Sequence, residues 1–114
     1  MGKKSTIIVK TQFENIHKFL EAPNKVDYLR FPHRHLFYVE IEMEVFHNDR
    51  ELEFIMVKHH VDNFLRSNPF EVRDSCETMA TQICEELIKQ YGKRQVSCAV
   101  LEDNENGGKV YYGY

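Results

Sequence analysis

The sequence predicts an α+β domain in which a pair of helices covers one face of an antiparallel sheet. Three observations predict it. The stretch His33 to His47 alternates apolar and polar residues with period two, the mark of a half-buried strand. From Val57 the period changes, with apolar residues at i, i+4, i+7 and i+8, and a second helical stripe follows. Strand-like alternation then returns before the C-terminus. Helices inserted as a pair between runs of strands give layered α+β rather than βαβ units.

Each element has its own justification. Ser5 to Phe13 alternates Ile7, Val9, Thr11 and Phe13 against Thr6, Ile8, Lys10 and Gln12, and reads as a strand. His17 to Pro32, punctuated by Pro23, Asn24 and Pro32, reads as a long connection with at most a short helical turn. In His33–His47 the odd positions run His33, His35, Phe37, Val39, Ile41, Met43, Val45, and the even ones include Glu40, Glu42 and Glu44. His47-Asn48-Asp49-Arg50 supplies turn chemistry, and Leu52, Phe54 and Met56 resume the alternation, so Glu51 to Met56 is expected to close a hairpin. The first helix carries Val57, Val61, Phe64 and Leu65 and stops at Asn68-Pro69. The second opens on Ser75 as N-cap, buries Cys76, Ala80, Ile83, Leu87 and Tyr91, and ends at Gly92. Gln95 to Glu102 is a strand, Asp103 to Gly108 a turn, and Lys109 to Tyr114 a closing strand. The residue pattern alone thus gives the order β-β-β-α-α-β-β.

At 114 residues the chain is read as a single domain over 1–114. With 15 Lys+Arg against 18 Asp+Glu its formal charge is −3, so no global positive field draws nucleic acid or an anionic membrane. No apolar run approaches the roughly 20 residues of a spanning helix. Three cysteines, an odd number without a C-x-x-C pair, and no signal peptide behind Met-Gly-Lys-Lys lead to the expectation of a reduced, cytoplasmic protein. A small sheet with free edges is expected to assemble with copies of itself.

Two constellations carry chemistry. His33 and His35, at i and i+2 of a strand, point to one face about 6.5–7 Å apart, a chelating geometry for a zinc ion with Zn–N bonds of about 2.0–2.1 Å. An isolated pair at a strand end is also compatible with plain surface polarity. Both, however, share the core-facing side with Phe37, Val39 and Ile41, where an imidazole without a partner is costly. His17, just past the first strand, supplies a third ligand, and three histidines with an open fourth position is the pattern of a catalytic zinc. Glu102 follows Val96, Cys98 and Val100 in the core-facing register, so its carboxylate is either paired, as to adjacent N–H groups of a heterocycle, or already solvated in the turn.

His17 in Phe13-Glu-Asn-Ile-His17, the His33-Arg-His35 pair leading a long strand, Ser75-Cys-Glu77-Thr-Met-Ala80 opening a helix and Val100-Leu-Glu102 together resemble the landmarks of the 6-pyruvoyltetrahydropterin synthase and 6-carboxytetrahydropterin synthase family. They keep the family's order across nearly the whole chain. The resemblance implies the tunnelling fold (T-fold): a four-stranded antiparallel sheet with two helices packed on one face, order ββααββ, assembled as a homohexamer with sites between subunits. It implies Zn²⁺ on His17, His33 and His35, Glu102 as the anchor of a pterin or purine-like heterocycle, and zinc-dependent lyase-like chemistry. There are departures. The family's catalytic cysteine precedes the His-x-His pair by four residues, where this chain has Leu29, and Ser67 to Asp74 holds no histidine for the family's Asp-His relay. General acid/base groups of this kind contribute about 10²–10⁴-fold in rate each. His59, His60 and Asp62 are the substitutes nearest in sequence, or else a solvated helix face. The expectation is therefore a divergent zinc protein that binds or converts such a heterocycle. The alternatives are a non-catalytic oligomeric binding module that keeps the metal, and a metal-free scaffold whose histidines only pack.

Overall fold

The computed structural model describes residues 3–17, 23–26, 33–71 and 74–114, with backbone alone at 16, 17, 33 and 34. Its elements run β1 (Ser5–His17), β2 (His33–Val45), α1 (Phe54–Ser67), α2 (Cys76–Tyr91), β3 (Val96–Glu102) and β4 (Asn106–Tyr112). The four strands form one sheet in the order β1-β2-β3-β4, and every neighbouring pair is antiparallel.

The alternation in β2 decides which face is buried. Phe37, Val39, Ile41 and Met43 are almost wholly excluded from water. Val96, Cys98 and Val100 stand beside them on β3, and Val9 opposite Ile41 on β1. Onto this face α1 lays Val57, Val61 and Leu65, and α2 lays Met79, Ala80, Ile83, Cys84 and Leu87, all in one hydrophobic cluster. Each large side chain buried this way contributes about 1.5–3 kcal/mol. The opposite face carries charge, with Lys10 3.6 Å from Glu40 and Lys109 3.9 Å from Glu42. Such exposed pairs add at most about 1 kcal/mol each, so the apolar face holds the helices.

Two sequence expectations are corrected. Glu51 to Met56 is not a strand: the Glu53 carboxylate accepts from the Ile55 N–H as an N-cap, and α1 begins at Phe54. The alternation of Leu52, Phe54 and Met56 does not mark a buried face, since Phe54 and Met56 are exposed on the first helical turn. The closing strand starts at Asn106 rather than Lys109, because Asp103 and Asn104 take φ of 53° and 61° and turn the chain within Asp103–Glu105. Asp and Asn tolerate that left-handed region better than other non-glycine residues. Gly107 and Gly108 are left for the strand. A Cβ at Gly107 would lie 1.8 Å from the Val100 carbonyl oxygen.

β1 also runs four residues past Phe13, to His17. Residues 23–26 make the short turn expected inside the long connection, with Val26 N–H donating to Pro23 O. Among the described residues no helix is long and apolar enough to cross a membrane.

Candidate functional site

The strand register brings the candidate residues to one end of the sheet. β1 and β2 pair Phe13 with Phe37, Asn15 with His35 and His17 with His33, while β3 sets Glu102 opposite Phe37. Directly opposed residues of an antiparallel pair have Cβ atoms roughly 4.5–5.5 Å apart, and residues two apart on one strand lie about 6.5–7 Å apart. Positions 15, 17, 33 and 35 therefore form four corners of one patch, in the register of the buried Phe37. The side chains of His17 and His33 lie outside the described residues, as does Leu29.

His35 is fixed from two directions. Its Nδ1 is 2.8 Å from Asp103 Oδ2, and its ring meets Phe37 edge-on, with centroids 6.0 Å apart. Asp103 is itself held, accepting from Leu36 N–H through Oδ1 and donating its own N–H to Leu36 O at 2.7 Å. The bond to His35 and, behind it, the Leu36 N–H keep the Asp103 carboxyl below the usual aspartate range. With Nδ1 so tied, Nε2 of His35 points toward Glu102, 3.5 Å from Oε2. Glu102 is the last residue of β3, and its side chain is 27% exposed. Its carboxylate thus stands beside the histidine ring and is partly open to solvent.

The start of α2 closes the patch from the helix side. Burial, and then the charges of Glu102 and Glu77, push the Cys76 thiol up to about 11, so it stays protonated at neutral pH. A Cβ at Gly108 would come within 2.7 Å of Glu77 Oε1, so the glycine leaves room for that carboxylate. Beside the patch, a cleft of about 490 Å³ between β1 and the end of α1 is lined by Phe13, Asn15, Asp62, Arg66 and Phe70.

The remaining candidates are elsewhere. His60 binds Glu86 across the helix pair at 2.7 Å and packs edge-on against Tyr91, while His59 is exposed. Asp62 accepts from the Thr11 hydroxyl. Thr11 is four residues along β1 from Asn15, about 13 Å at the usual rise. His47 accepts from Asp49 N–H in the turn after β2. Cys76, Cys84 and Cys98 are free and buried, as small core side chains. Among the described residues no three His, Cys, Asp or Glu side chains group as metal ligands, and two of the three expected ligands are not among those side chains.

Sequence reasoning missed Asp103 and Asn15. Asp103 had a signal, a carboxylate one residue past a core-facing Glu in a tight turn. Asn15 had one too, a polar residue in the Val9-Thr11-Phe13 register. No protein-family model matches the chain, and no curated protein matches it.

Proposed function

We propose that this chain is a divergent zinc protein resembling the 6-pyruvoyltetrahydropterin and 6-carboxytetrahydropterin synthases, a T-fold homohexamer that binds a pterin or purine-type heterocycle. The observation that carries this reading is the register, which pairs His17 with His33 and sets His35 two residues on, in the same patch as Glu102. The donor chemistry fits Zn²⁺. His35 Nδ1 bonded to a carboxylate leaves Nε2 as the metal-facing nitrogen, the arrangement by which protein carboxylates orient zinc-binding histidines. β1 and β4 are the sheet's two edges, and edges of this kind, able to pair with further copies, support the hexameric reading.

Zinc held by His17, His33 and His35 would supply Lewis-acid polarisation of a ligand oxygen. The chain's own residues do the rest. Asp103 keeps the Nδ1 proton of His35 in place and so sets the tautomer. The Glu102 carboxylate would serve as acceptor for the paired N–H groups of a heterocycle. Phe37 and Phe13, stacked at 5.2 Å, give the patch an apolar floor. Titration of zinc-supplied protein with neopterin, followed by its fluorescence, tests this. Wild type should bind, and Glu102→Gln should lose at least about tenfold in affinity while keeping its zinc. Zinc-loaded wild type that binds neither neopterin nor guanine would contradict the reading.

One observation favours the second reading, a binding module without catalysis. Two of the three substitute acid/base groups are engaged elsewhere, Asp62 with Thr11 and His60 with Glu86, and the third, His59, is an exposed residue of α1. Cys76 is a poor base with its thiol raised to about 11. Zinc-dependent turnover of any pterin or purine substrate would count against the module and for a lyase-like enzyme.

A further inference from the structure

The formal charge of −3 is unevenly placed on the molecule. Among the described residues, the His33 end carries Glu71, Asp74, Glu77, Glu102, Asp103 and Glu105, around the start of α2 and the turn after β3. The opposite end, where β2 finishes at Val45, gathers basic side chains. Lys3 and Lys4 lead into β1, Arg50 lies in the turn before α1, Lys58 sits one turn into α1, and Lys89 and Lys93 stand at the finish of α2; all are exposed. The fold brings these segments together, since Ser5 pairs with Val45 and the Ser5 hydroxyl donates to Asn48 Oδ1. Lys4 reaches across to Gln95 and lies over the Tyr114 ring, 4.4 Å from its centroid. Most acids at this end are already engaged, Glu51 with Arg94, Glu44 with Gln95 N–H and Glu53 with Ile55 N–H.

The same end exposes large apolar side chains. Phe46, just past β2, and Phe54, Ile55 and Met56 at the start of α1 are each more than half exposed. A single exposed apolar residue is ordinary on a protein surface, whereas a run of three at the tip of a helix marks a place of contact. Every Cα–Cβ bond of a helix tilts toward its N-terminus, so these three side chains lean off the end of the molecule rather than back onto the core. The first turn of α1 holds no acidic side chain, and its unpaired N–H groups add positive partial charge there.

We propose that the Val45 end is a membrane-docking surface: Phe54, Ile55 and Met56 enter the headgroup region of an anionic bilayer, and the basic side chains around them contact its charged headgroups. An apolar wedge and a basic rim are each weak anchors, and together they give peripheral binding that neither supplies alone. A nucleic acid would use the rim but not the wedge. The acidic His33 end is repelled by the same surface, so the charge separation also orients the chain with α1 pointing down. The surface lies at the end of the sheet and leaves the β1 and β4 edges along its flanks for assembly. None of the proposed zinc ligands takes part, so the inference stands apart from the metal reading.

The test is flotation of the full chain with lipid vesicles, comparing phosphatidylcholine alone with an equal mixture of phosphatidylcholine and phosphatidylserine. Wild type should bind the mixed vesicles about tenfold or more tightly than the neutral ones, and added salt should weaken that binding. Phe54→Ser combined with Met56→Ser should lose about tenfold or more on the mixed vesicles while keeping the wild-type melting temperature, because both side chains are exposed. Lys58→Glu combined with Lys93→Glu should bring binding to the mixed vesicles down to the level seen on phosphatidylcholine alone. Wild type that fails to float with the mixed vesicles would overturn the proposal. Undiminished flotation of the Phe54→Ser, Met56→Ser variant would overturn it too. So would single-stranded DNA that binds wild type and that variant as tightly as the vesicles do, since the surface would then be a general polyanion site.

Discussion

At the Val45 end of β2 the polar groups serve the fold itself. Arg94, with a side chain only 7% exposed, donates to Glu44 O, to both Glu51 oxygens and to Tyr91 O, and lies over the Phe46 ring. Glu51 also accepts from Phe46 N–H, and Glu44 from Gln95 N–H. That network ties β2, the turn before α1 and the end of α2 together. The His33 end has similar residue types in a different arrangement. His35, Asp103 and Leu36 fix one another, Glu102 stands 3.5 Å from His35, and the Asn15 Nδ2 atom is buried without a hydrogen bond among the described residues. Polar residues at a strand end thus differ in where their bonds close: across helix, turn and strand at one end, among neighbouring strand-end residues at the other.

The comparison can be broken at the Arg94 end first. Arg94→Ala strands a partly buried carboxylate and two carbonyls, and should destabilise the fold by about 2–3 kcal/mol, discounted from the fully buried case because Glu51 is 21% exposed. Urea denaturation measures it, and metal uptake should not change. A loss below about 0.5 kcal/mol would place the clamp among ordinary surface pairs.

Asp103→Asn probes the other end more gently. It keeps the shape but weakens the hold on His35 Nδ1, so zinc affinity should fall about 10–100-fold with little change in melting temperature. Chelator competition reads it. Equal affinity would detach Asp103 from the site.

Acid sharpens the contrast with the smallest effect. The Phe46 N–H, helped by Arg94, lowers the Glu51 carboxyl below its ordinary value of 4.5. A lowered folded-state value means that its stabilisation is fully present above pH 4.5 and is lost as pH falls through the folded value. Wild type should therefore exceed Glu51→Gln in stability near pH 7, and the gap should shrink steadily once pH drops below 4.5. A gap independent of pH would show that the charge of Glu51 contributes nothing.

Much of the fold was legible because its signals are periodic. The β2 alternation and the helical stripes report burial directly, and Val57, Val61, Leu65, Ile83 and Leu87 are buried as their spacing requires. The false strand at Glu51 to Met56 arose because the half-buried Leu52 and the exposed Phe54 and Met56 fell at period two by chance, whereas the N-cap at Glu53 depends on one side-chain bond. The β4 boundary was hidden by two glycines that resemble a turn but are required for close approach to Val100 and Glu77. The core-facing register of His35 and Glu102 was legible from their parity with Phe37 and Val100. Asp103 was less so, because its local signal, a carboxylate in a tight turn, does not show its bond to His35 on β2.

The central claim is that the paired positions 17, 33 and 35 hold one metal ion. Plasma mass spectrometry of zinc-supplied, untagged protein tests it most directly, with His17→Ala and His35→Ala alongside. About one zinc per chain is expected in wild type, with a clear fall in both variants, since each removes one of the three proposed ligands. A wild type that remains metal-free, or variants that keep full zinc, would contradict it.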